Sequence, residues 1–424
     1  MNKGTLFQER VKRIHFIGVG GIGMSGIAEI LLDLGYEVSG SDLRVNDNTG
    51  RLVAKGAHIF KGHAPANVVG SDVVVHSSAV REENPEIIKA KDLEIPVIPR
   101  AEMLAELMRF TDAVAVAGTH GKTTTTSLMA TVLSAGELDP TVVIGGKLNA
   151  IGTNAKRGTG NLMLVEADES DRSFLFLRPM VTCVTNIDEE HMNSYRDLED
   201  LKDSFAKFMS SIPFYGFNLV CSDNALLMEV AEKVHRRIIT YGISKNSHYR
   251  AVEVNLSGEV SRYGVEAYGE RVGDISICML GRHNIQNSLA TVALGLELGI
   301  PFDTIREALS GFMGVDRRFT KKGEVDGVLV IDDYGHHPTE IAATLQGARQ
   351  GYPERRIIAV FQPHRYTRVA DLFADFAGAF YNADRVYVTE IYAAGEPPLP
   401  GITGEKLTEA IHSHSQNACY GGTV

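Results

Sequence analysis

No stretch of this 424-residue chain approaches the roughly 20 consecutive apolar residues that a membrane-spanning helix needs, so no membrane partner is expected. Basic residues are in deficit: 42 Lys and Arg against 53 Asp and Glu leave a net charge of −11. A nucleic-acid binder normally presents a basic face, so nucleic acid is not an expected partner either. Cysteine is scarce, and Cys183, Cys221, Cys278 and Cys419 are too scattered to form a ligand spacing. Three of them lie in apolar, strand-like runs, which reads as reduced core thiols in a cytoplasmic protein. The first residues, MNKGTLFQERVKR, are polar and lack the apolar stretch of a secretory leader. What is there, 44% apolar and 22% charged residues, is an ordinary globular composition long enough for two to four domains.

The most informative stretch is 113–129, AVAVAGTHGKTTTTSLM. Residues 114–116 read as a buried strand, and a helical pattern resumes from Ser127. Between them stands Gly118-Thr119-His120-Gly121-Lys122-Thr123-Thr124. Glycines let backbone N–H groups approach an anion, the helix start adds positive charge, Lys122 a mobile cation and Thr123 a hydroxyl for Mg²⁺. The common pattern G-x-x-x-x-G-K-[ST] would put its first glycine at Val116, so this loop is a shorter form. Strand, loop, Lys-Thr and helix in that order predict ATP or GTP binding.

Towards the N-terminus, 13–20 reads as a strand and 22–34 as a helix, joined through Gly18-x-Gly20-x-x-Gly23. A second strand, 37–41, ends at Asp42, about where a dinucleotide-type unit places an acid on a ribose. Strands at 72–76 and 95–98 continue the alternation, with Ser77 and Ser78 at a carboxyl strand end, where open α/β sheets bind ligands. A helix at 101–110 closes a first domain, 1–110.

A central domain, 111–316, follows. A strand at 162–165 runs into Glu166-Ala167-Asp168-Glu169-Ser170-Asp171. In a protein with a Lys-Thr loop, a carboxylate there suits Mg²⁺, and Glu166 is the expected ligand, with Asp168 and Glu169 beside it. The strand 181–185 ends at Asn186 and leads to His191, which reads either as a hydrogen-bonded structural imidazole or as a ligand to a second cation. Strands at 249–256, 260–268 and 275–280 suggest a meander. Asn284 and Asn287 open the helix 285–298, where they read as adenine-edge contacts or, for Asn284, as a cap. After a helix at 302–310 and a linker at 311–319, alternation returns at 328–331, 338–350, 356–361, 369–381 and 385–389, giving a third α/β domain, 317–424. His336 and His337 lack the company of thiols, so a metal is the weaker reading. Arg365 and Arg368 read as an anion clamp or as solvated surface arginines.

HFIGVGGIGMSG, AGTHGKTTTT, EADESD, TNIDEEHM, PFYG, GRHNIQN, GVDRRF, DDYGHHPTE and FQPHRYTR occur in this order. The set closely resembles the Mur ligases of peptidoglycan synthesis, from the N-terminus to about residue 404. The resemblance implies an α/β fold of three domains: a Rossmann-like N-terminal domain, a central P-loop ATPase domain with a mostly parallel sheet, and a C-terminal Rossmann-like domain. It implies ATP-dependent joining of L-alanine to the lactyl carboxylate of UDP-N-acetylmuramate through an acyl phosphate. The tripeptide-recycling branch usually carries a cysteine in its first glycine loop, whereas this chain has GVGGIGMSG.

The resemblance also implies roles. Gly18, Gly20, Gly23, Asp42, Ser77 and Ser78 would hold the UDP part, and Asn154 the sugar acid. Gly118, Thr119, Gly121, Lys122, Thr123 and Thr124 would bind ATP phosphates, Asn284 and Asn287 the adenine, and Thr123, Glu166 and His191 two Mg²⁺ ions, with Asn186 ordering the second. Arg318, His336, Arg365 and Arg368 would face the phosphates, the carboxylate and alanine. His191 and His336 are the candidates to deprotonate the amine. A monomer or homodimer is expected. Family members usually have Asp where Glu190 and Asn193 stand. They also continue past the helix 404–411 with a strand–helix–strand unit, whereas HSHSQNACYGGTV reads as a polar tail without periodicity. A third domain shortened at its C-terminus, with an exposed sheet edge and weak or absent activity, is the expectation that follows. Two other classes fit part of the pattern: a nicotinamide dehydrogenase, which leaves Lys122 unexplained, and a nucleotide-binding module without turnover.

Overall fold

The computed structural model describes residues 11–144, 155–190, 192–312, 314–315, 317–414 and 416–423, and for Asn193 the backbone alone. Of the expected site residues, His191 and Asn154 lie outside the described residues. The chain divides into two compact units, Met1–Ala251 with Val265–Gly273 and Gln286–Asp316, and Val252–Gly264 with Asp274–Ile285 and Arg317–Val424.

The first unit opens with β1 (Arg13–Ile17), α1 (Ile22–Asp33), β2 (Glu37–Asp42), α2 (Asp47–Ala54), β3 (His58–Lys61), β4 (Val73–His76), α3 (Pro85–Asp92), β5 (Val97–Pro99) and α4 (Arg100–Met108). The five strands form one parallel sheet in the order β3-β2-β1-β4-β5. The order reverses beside β1, which is where a doubly wound sheet opens a crevice at its carboxyl ends. Apolar residues pack Ile17 and Val74 of the sheet on Ile87 of α3. The strand β3 is an addition to the expected set; its residues HIFK alternate too briefly to be read from pattern alone.

There follow β6 (Asp112–Ala117), α5 (Lys122–Ala135), β7 (Thr141–Val143), β8 (Ala155–Lys156), β9 (Leu162–Glu166), β10 (Val181–Val184), α6 (Leu198–Ser210), β11 (Phe217–Cys221), α7 (Ala225–Glu232) and β12 (Ile238–Gly242). Next come β13 (Tyr249–Asn255), β14 (Ser261–Ala267), β15 (Glu270–Ile277), α8 (Arg282–Glu297) and α9 (Phe302–Ser310). The sheet order is β15-β14-β13-β12-β11-β10-β6-β9-β7-β8, with β6 between the parallel strands β10 and β9. Strand β15 begins five residues before the expected 275. The helix after the phosphate loop starts at Lys122 and not at Ser127. Of the four threonines in its first turns, Thr123 sends its hydroxyl to Glu166 Oε1 at 3.0 Å and Thr126 returns its own to Lys122 O at 2.8 Å, as Ser127 Oγ does to Thr123 O at 2.7 Å.

The second unit contains β16 (Thr320–Val325), β17 (Val328–Asp332), α10 (Pro338–Gly351), β18 (Ile358–Phe361), α11 (Tyr366–Asp371), α12 (Phe373–Gly378), β19 (Arg385–Thr389), α13 (Gly404–Ser413) and β20 (Ala418–Gly422). Strands β16 and β17 form a hairpin, and β18-β19-β20 a parallel sheet. Two expectations are corrected. The single helix 369–381 is two helices meeting at Leu372, whose φ of −113° departs from helical geometry. The polar tail is a strand: β19 supplies a ladder that pairs Val386 with Ala418 and Tyr387 with Cys419, and Tyr420 anchors it by donating to Glu390 Oε2 at 2.9 Å. Partner strand, not internal periodicity, makes it a strand. Of the cysteines, Cys183 and Cys221 are buried thiols as expected, whereas Cys278 is exposed.

Candidate functional site

In the first unit the strand β6 ends in a loop that only glycine can build at two points. Gly118 has φ +129°, and a Cβ there would lie 2.1 Å from Thr185 Oγ1. Gly121 has φ +82°, and its Cβ would meet Asn287 Oδ1 at 2.8 Å. The neighbouring strand end grips the loop between them. Asn186 Oδ1 accepts from His120 N at 2.8 Å while its Nδ2 donates to His120 O at 3.0 Å, and Thr185 Oγ1 donates to the same carbonyl at 2.6 Å. Thr119 N donates to Asn186 O at 3.1 Å. Asp188 Oδ2 lies 3.2 Å from His120 Nε2. Sequence reading brought Asn186 in only through a metal; the structure gives it the loop's shape. Its place at a strand end beside β6 was the available signal.

Lys122 and Thr123 begin α5. Lys122 Nζ donates to Gly118 O at 2.6 Å, Thr119 O at 3.0 Å and Glu169 Oε1 at 2.7 Å. Burial works against the ammonium, but the Glu169, Glu166 and Asp168 carboxylates hold it protonated, above the ordinary lysine value. Burial pushes Glu169 up, to about 7, against the pull of Lys122. Glu169 Oε2 is buried with no hydrogen-bond partner among the described residues. Thr123 Oγ1 donates to Glu166 Oε1 at 3.0 Å. Thr124 is buried in the first turn of α5. Glu169 thus serves the lysine, and Glu166 is the carboxylate beside the hydroxyl.

Also in the first unit, a cavity of about 900 Å³ opens at the carboxyl ends of β1, β2 and β4, lined among others by Gly18, Gly20, Asp42, His63 and Ser77. Asp42 Oδ2 accepts from Gly20 N at 2.8 Å, and Gly18 N and Val19 N both donate to Ser41 O, at 2.8 and 3.1 Å. Asp42 therefore braces the glycine turn. Gly23 stands apart, where a Cβ would meet Arg100 Nη1 at 2.6 Å. Arg100 in turn lies 3.8 Å from Asp168 Oδ2. Ser78 is the next turn residue after Ser77 and is not among the cavity's lining residues. Ser41, His63 and Arg100 carried no recognisable pattern in the sequence.

In the second unit, His336 Nδ1 lies 3.1 Å from Tyr334 O and 3.4 Å from Glu340 Oε2, and Arg318 Nη1 lies 3.6 Å from Glu340 Oε1. Burial, reinforced by Arg368 and Arg318, depresses His336 to about 4 despite Glu340. Arg368 Nη1 stands 3.5 Å from His364 Nδ1, whose ring centroid is 6.4 Å from that of His336. Arg365 holds φ +69° at the start of α11, and among the described residues its guanidinium makes no hydrogen bond or ion pair. Asn284 is the third residue of α8, inside its first turn and so not the cap, and donates through Nδ2 to Leu280 O at 2.7 Å.

Three family models match the chain: Mur ligase family, catalytic domain, at residues 13–111; Mur ligase middle domain, at 116–295; and Mur ligase, glutamate ligase domain, at 317–422. A UDP-N-acetylmuramate–L-alanine ligase of Geobacter sp. strain M21 is 54% identical over 407 residues, 96% of this chain and 88% of that protein. The crystal structure of UDP-N-acetylmuramate-alanine ligase MurC from Thermotoga maritima aligns with a TM-score of 0.81 at 31% identity, covering 97% of this chain and 90% of that one. A murein peptide ligase from Psychrobacter arcticus 273-4 aligns with a TM-score of 0.72 at 25% identity, covering 97% and 91%. With its three-part α/β architecture and mostly parallel sheets, the chain belongs to the Mur ligase family.

Proposed function

We propose that this protein joins L-alanine to the lactyl carboxylate of UDP-N-acetylmuramate, at the expense of ATP. The observation that carries the reading is the Lys122–Thr123 loop, with Glu166 against Thr123, in the same unit as the cavity at Gly18 and Asp42. Relatives named for this activity at 52–54% identity support it over the tripeptide-recycling branch. The working divisions are residues 1–110 for the sugar nucleotide, 111–316 for ATP and 317–424 for the amino acid.

The Thr123 hydroxyl and Glu166 carboxylate are hard oxygens 3.0 Å apart, the donor set Mg²⁺ prefers. They would hold one ion, with His191 expected at a second, and bound Mg²⁺ offsets phosphate charge. A carboxylate is a poor acyl donor, so its oxygen attacks the γ-phosphorus of ATP, the bond to the bridging oxygen breaks and ADP leaves. Lys122 supplies positive charge to the transferring phosphoryl group. The alanine nitrogen then attacks the acyl carbon, the C–O bond to phosphate breaks, and phosphate leaves with its electron pair. The amine must lose a proton. His336, held neutral by burial, and His191 are the candidates to take it.

Mass analysis after incubation with ATP, Mg²⁺, UDP-N-acetylmuramate and L-alanine is expected to show the sugar nucleotide extended by one alanyl residue. Extension by a tripeptide but not by alanine would assign the recycling branch.

A further inference from the structure

Arg365, in the second unit, holds φ +69° and ψ +130°. Residues other than glycine seldom enter that region, and they stay there only where the surroundings over-determine it. What holds Arg365 is a strap, residues 391–396, that follows β19 and crosses the start of α11. At one end the strap pairs with the segment before the helix. Tyr392 N donates to Pro363 O at 2.8 Å, Arg365 N donates to Tyr392 O at 2.9 Å, and the rings of His364 and Tyr392 stack with centroids 5.4 Å apart. At the other end Glu396 closes on the helix. Its Oε2 accepts from Thr367 N at 3.0 Å and its Oε1 from Thr367 Oγ1 at 2.8 Å.

Arg365 therefore stands between two fixed points, Tyr392 at its own N–H and Glu396 at the residue two further on. Thr367 N is one of the donors that the first turn of a helix leaves without an intrahelical acceptor, and Glu396 supplies one from outside. Val369 N still donates to Arg365 O at 3.2 Å, so the helix begins at the strained residue itself. The strap is shaped to reach it. Ala394 and Gly395 take φ +51° and +89°, and Glu396 N donates to Ala393 O at 3.0 Å, a tight turn that brings the carboxylate back to α11. Burial works to raise Glu396, but the bonds from Thr367 and the charge of Arg365 outweigh it and hold the carboxyl below its ordinary value. Arg368, the other arginine of the expected anion clamp, follows Arg365 at i+3.

We infer that Glu396 is a positioning residue for the ligase reaction: by closing the strap on Thr367 it locks Arg365 in its strained backbone and so holds that guanidinium beside Arg368 for one anion. Released from the strap, residue 365 relaxes to negative φ and its side chain leaves the backbone in another direction. The clamp is then competent only for the fraction of time that the strained form is populated. This inference rests on the proposed role of Arg365 in facing the reacting phosphate or carboxylate.

The test is phosphate release by the full chain with saturating ATP, Mg²⁺, UDP-N-acetylmuramate and L-alanine. Arg365→Ala is expected to lower kcat by about 10², as loss of one donor to a developing charge does. Glu396→Ala is expected to lower kcat by about tenfold while the KM for ATP stays as it was. Its thermal midpoint changes little, because released strain offsets the two lost bonds. In the double variant the losses do not multiply. With no guanidinium to aim, Glu396→Ala lowers kcat by less than about twofold beyond Arg365→Ala. Glu396→Gln is the conservative control. Its amide oxygen accepts from Thr367 N and its NH₂ donates to Thr367 Oγ1, so the strap stays closed without the charge and kcat is expected within about threefold of the unaltered chain. Multiplied losses in the double variant, or a Gln variant as slow as the Ala variant, overturn the inference. Should Glu396→Ala not fold, Thr367→Val, which removes only a hydroxyl from an exposed residue, runs the same cycle against Arg365→Ala. Full turnover in Arg365→Ala overturns the role of Arg365 as well, whereas full turnover in Glu396→Ala beside a slow Arg365→Ala overturns this inference alone.

Discussion

Lys122 Nζ and Glu169 Oε1 are 2.7 Å apart in the interior of the first unit, and the second oxygen of that carboxylate has no hydrogen-bond partner among the described residues. The pair therefore carries two functions that mutation separates. Lys122→Ala removes the phosphate cation and strands a buried carboxylate, so turnover falls by about 10³ and stability by about 3 kcal/mol. Adding Glu169→Gln relieves the stranded charge and restores most of the stability without restoring turnover. Urea denaturation and phosphate release on the single and double variants distinguish the two losses; parallel recovery of both would contradict the assignment of Lys122 to chemistry.

The Asn186 clamp predicts a different signature. Asn186→Ala leaves His120 N without its acceptor and His120 O with Thr185 Oγ1 alone, and costs about 1–3 kcal/mol of stability. The KM for ATP is expected to rise about tenfold, because the loop is no longer held in one shape. An unchanged KM for ATP would mean that the loop keeps its form without the clamp.

Mg²⁺ dependence tests Glu166. Replacing it by Gln keeps an oxygen near Thr123 but removes the charge, so the Mg²⁺ concentration for half-maximal turnover is expected to rise by about tenfold or more. A variant with the Mg²⁺ titration of the unaltered chain would remove Glu166 from the metal site.

Glu86 predicts the acid limb of stability. Its carboxyl falls from 4.5 to about 2 on folding. A lowered pKa stabilises above the ordinary value, and that stability is lost as pH falls from about 4.5 towards 2, in total about 3 kcal/mol. Denaturation between about pH 6 and pH 3 should show most of this loss in the unaltered chain and a shallower one in Glu86→Gln. Identical slopes would show that Glu86 is not held ionised.

The glycine turns and the Lys-Thr loop were legible because each demands a residue type at a fixed spacing, and the structure forms a cavity at one and a cradle at the other. Where reading failed, the cause was non-local. Asn186 reaches His120 across 66 residues, and Glu86 reaches Ser41 across 45, with no periodicity to announce either. Strand β20 exists because β19 pairs with it. The helix begins at Lys122, ahead of its apolar pattern, because Lys122 and Thr123 in its first turn face Glu169 and Glu166 and so leave no apolar period to read.

The most direct test of the ligase account uses UDP-N-acetylmuramate with ¹⁸O in its lactyl carboxylate. Attack of that carboxylate on ATP predicts that, in the presence of L-alanine, each phosphate released carries one ¹⁸O while the other remains in the amide carbonyl. Phosphate released without label, or at the same rate without the sugar nucleotide, would contradict carboxylate activation and leave the chain an ATPase of another kind.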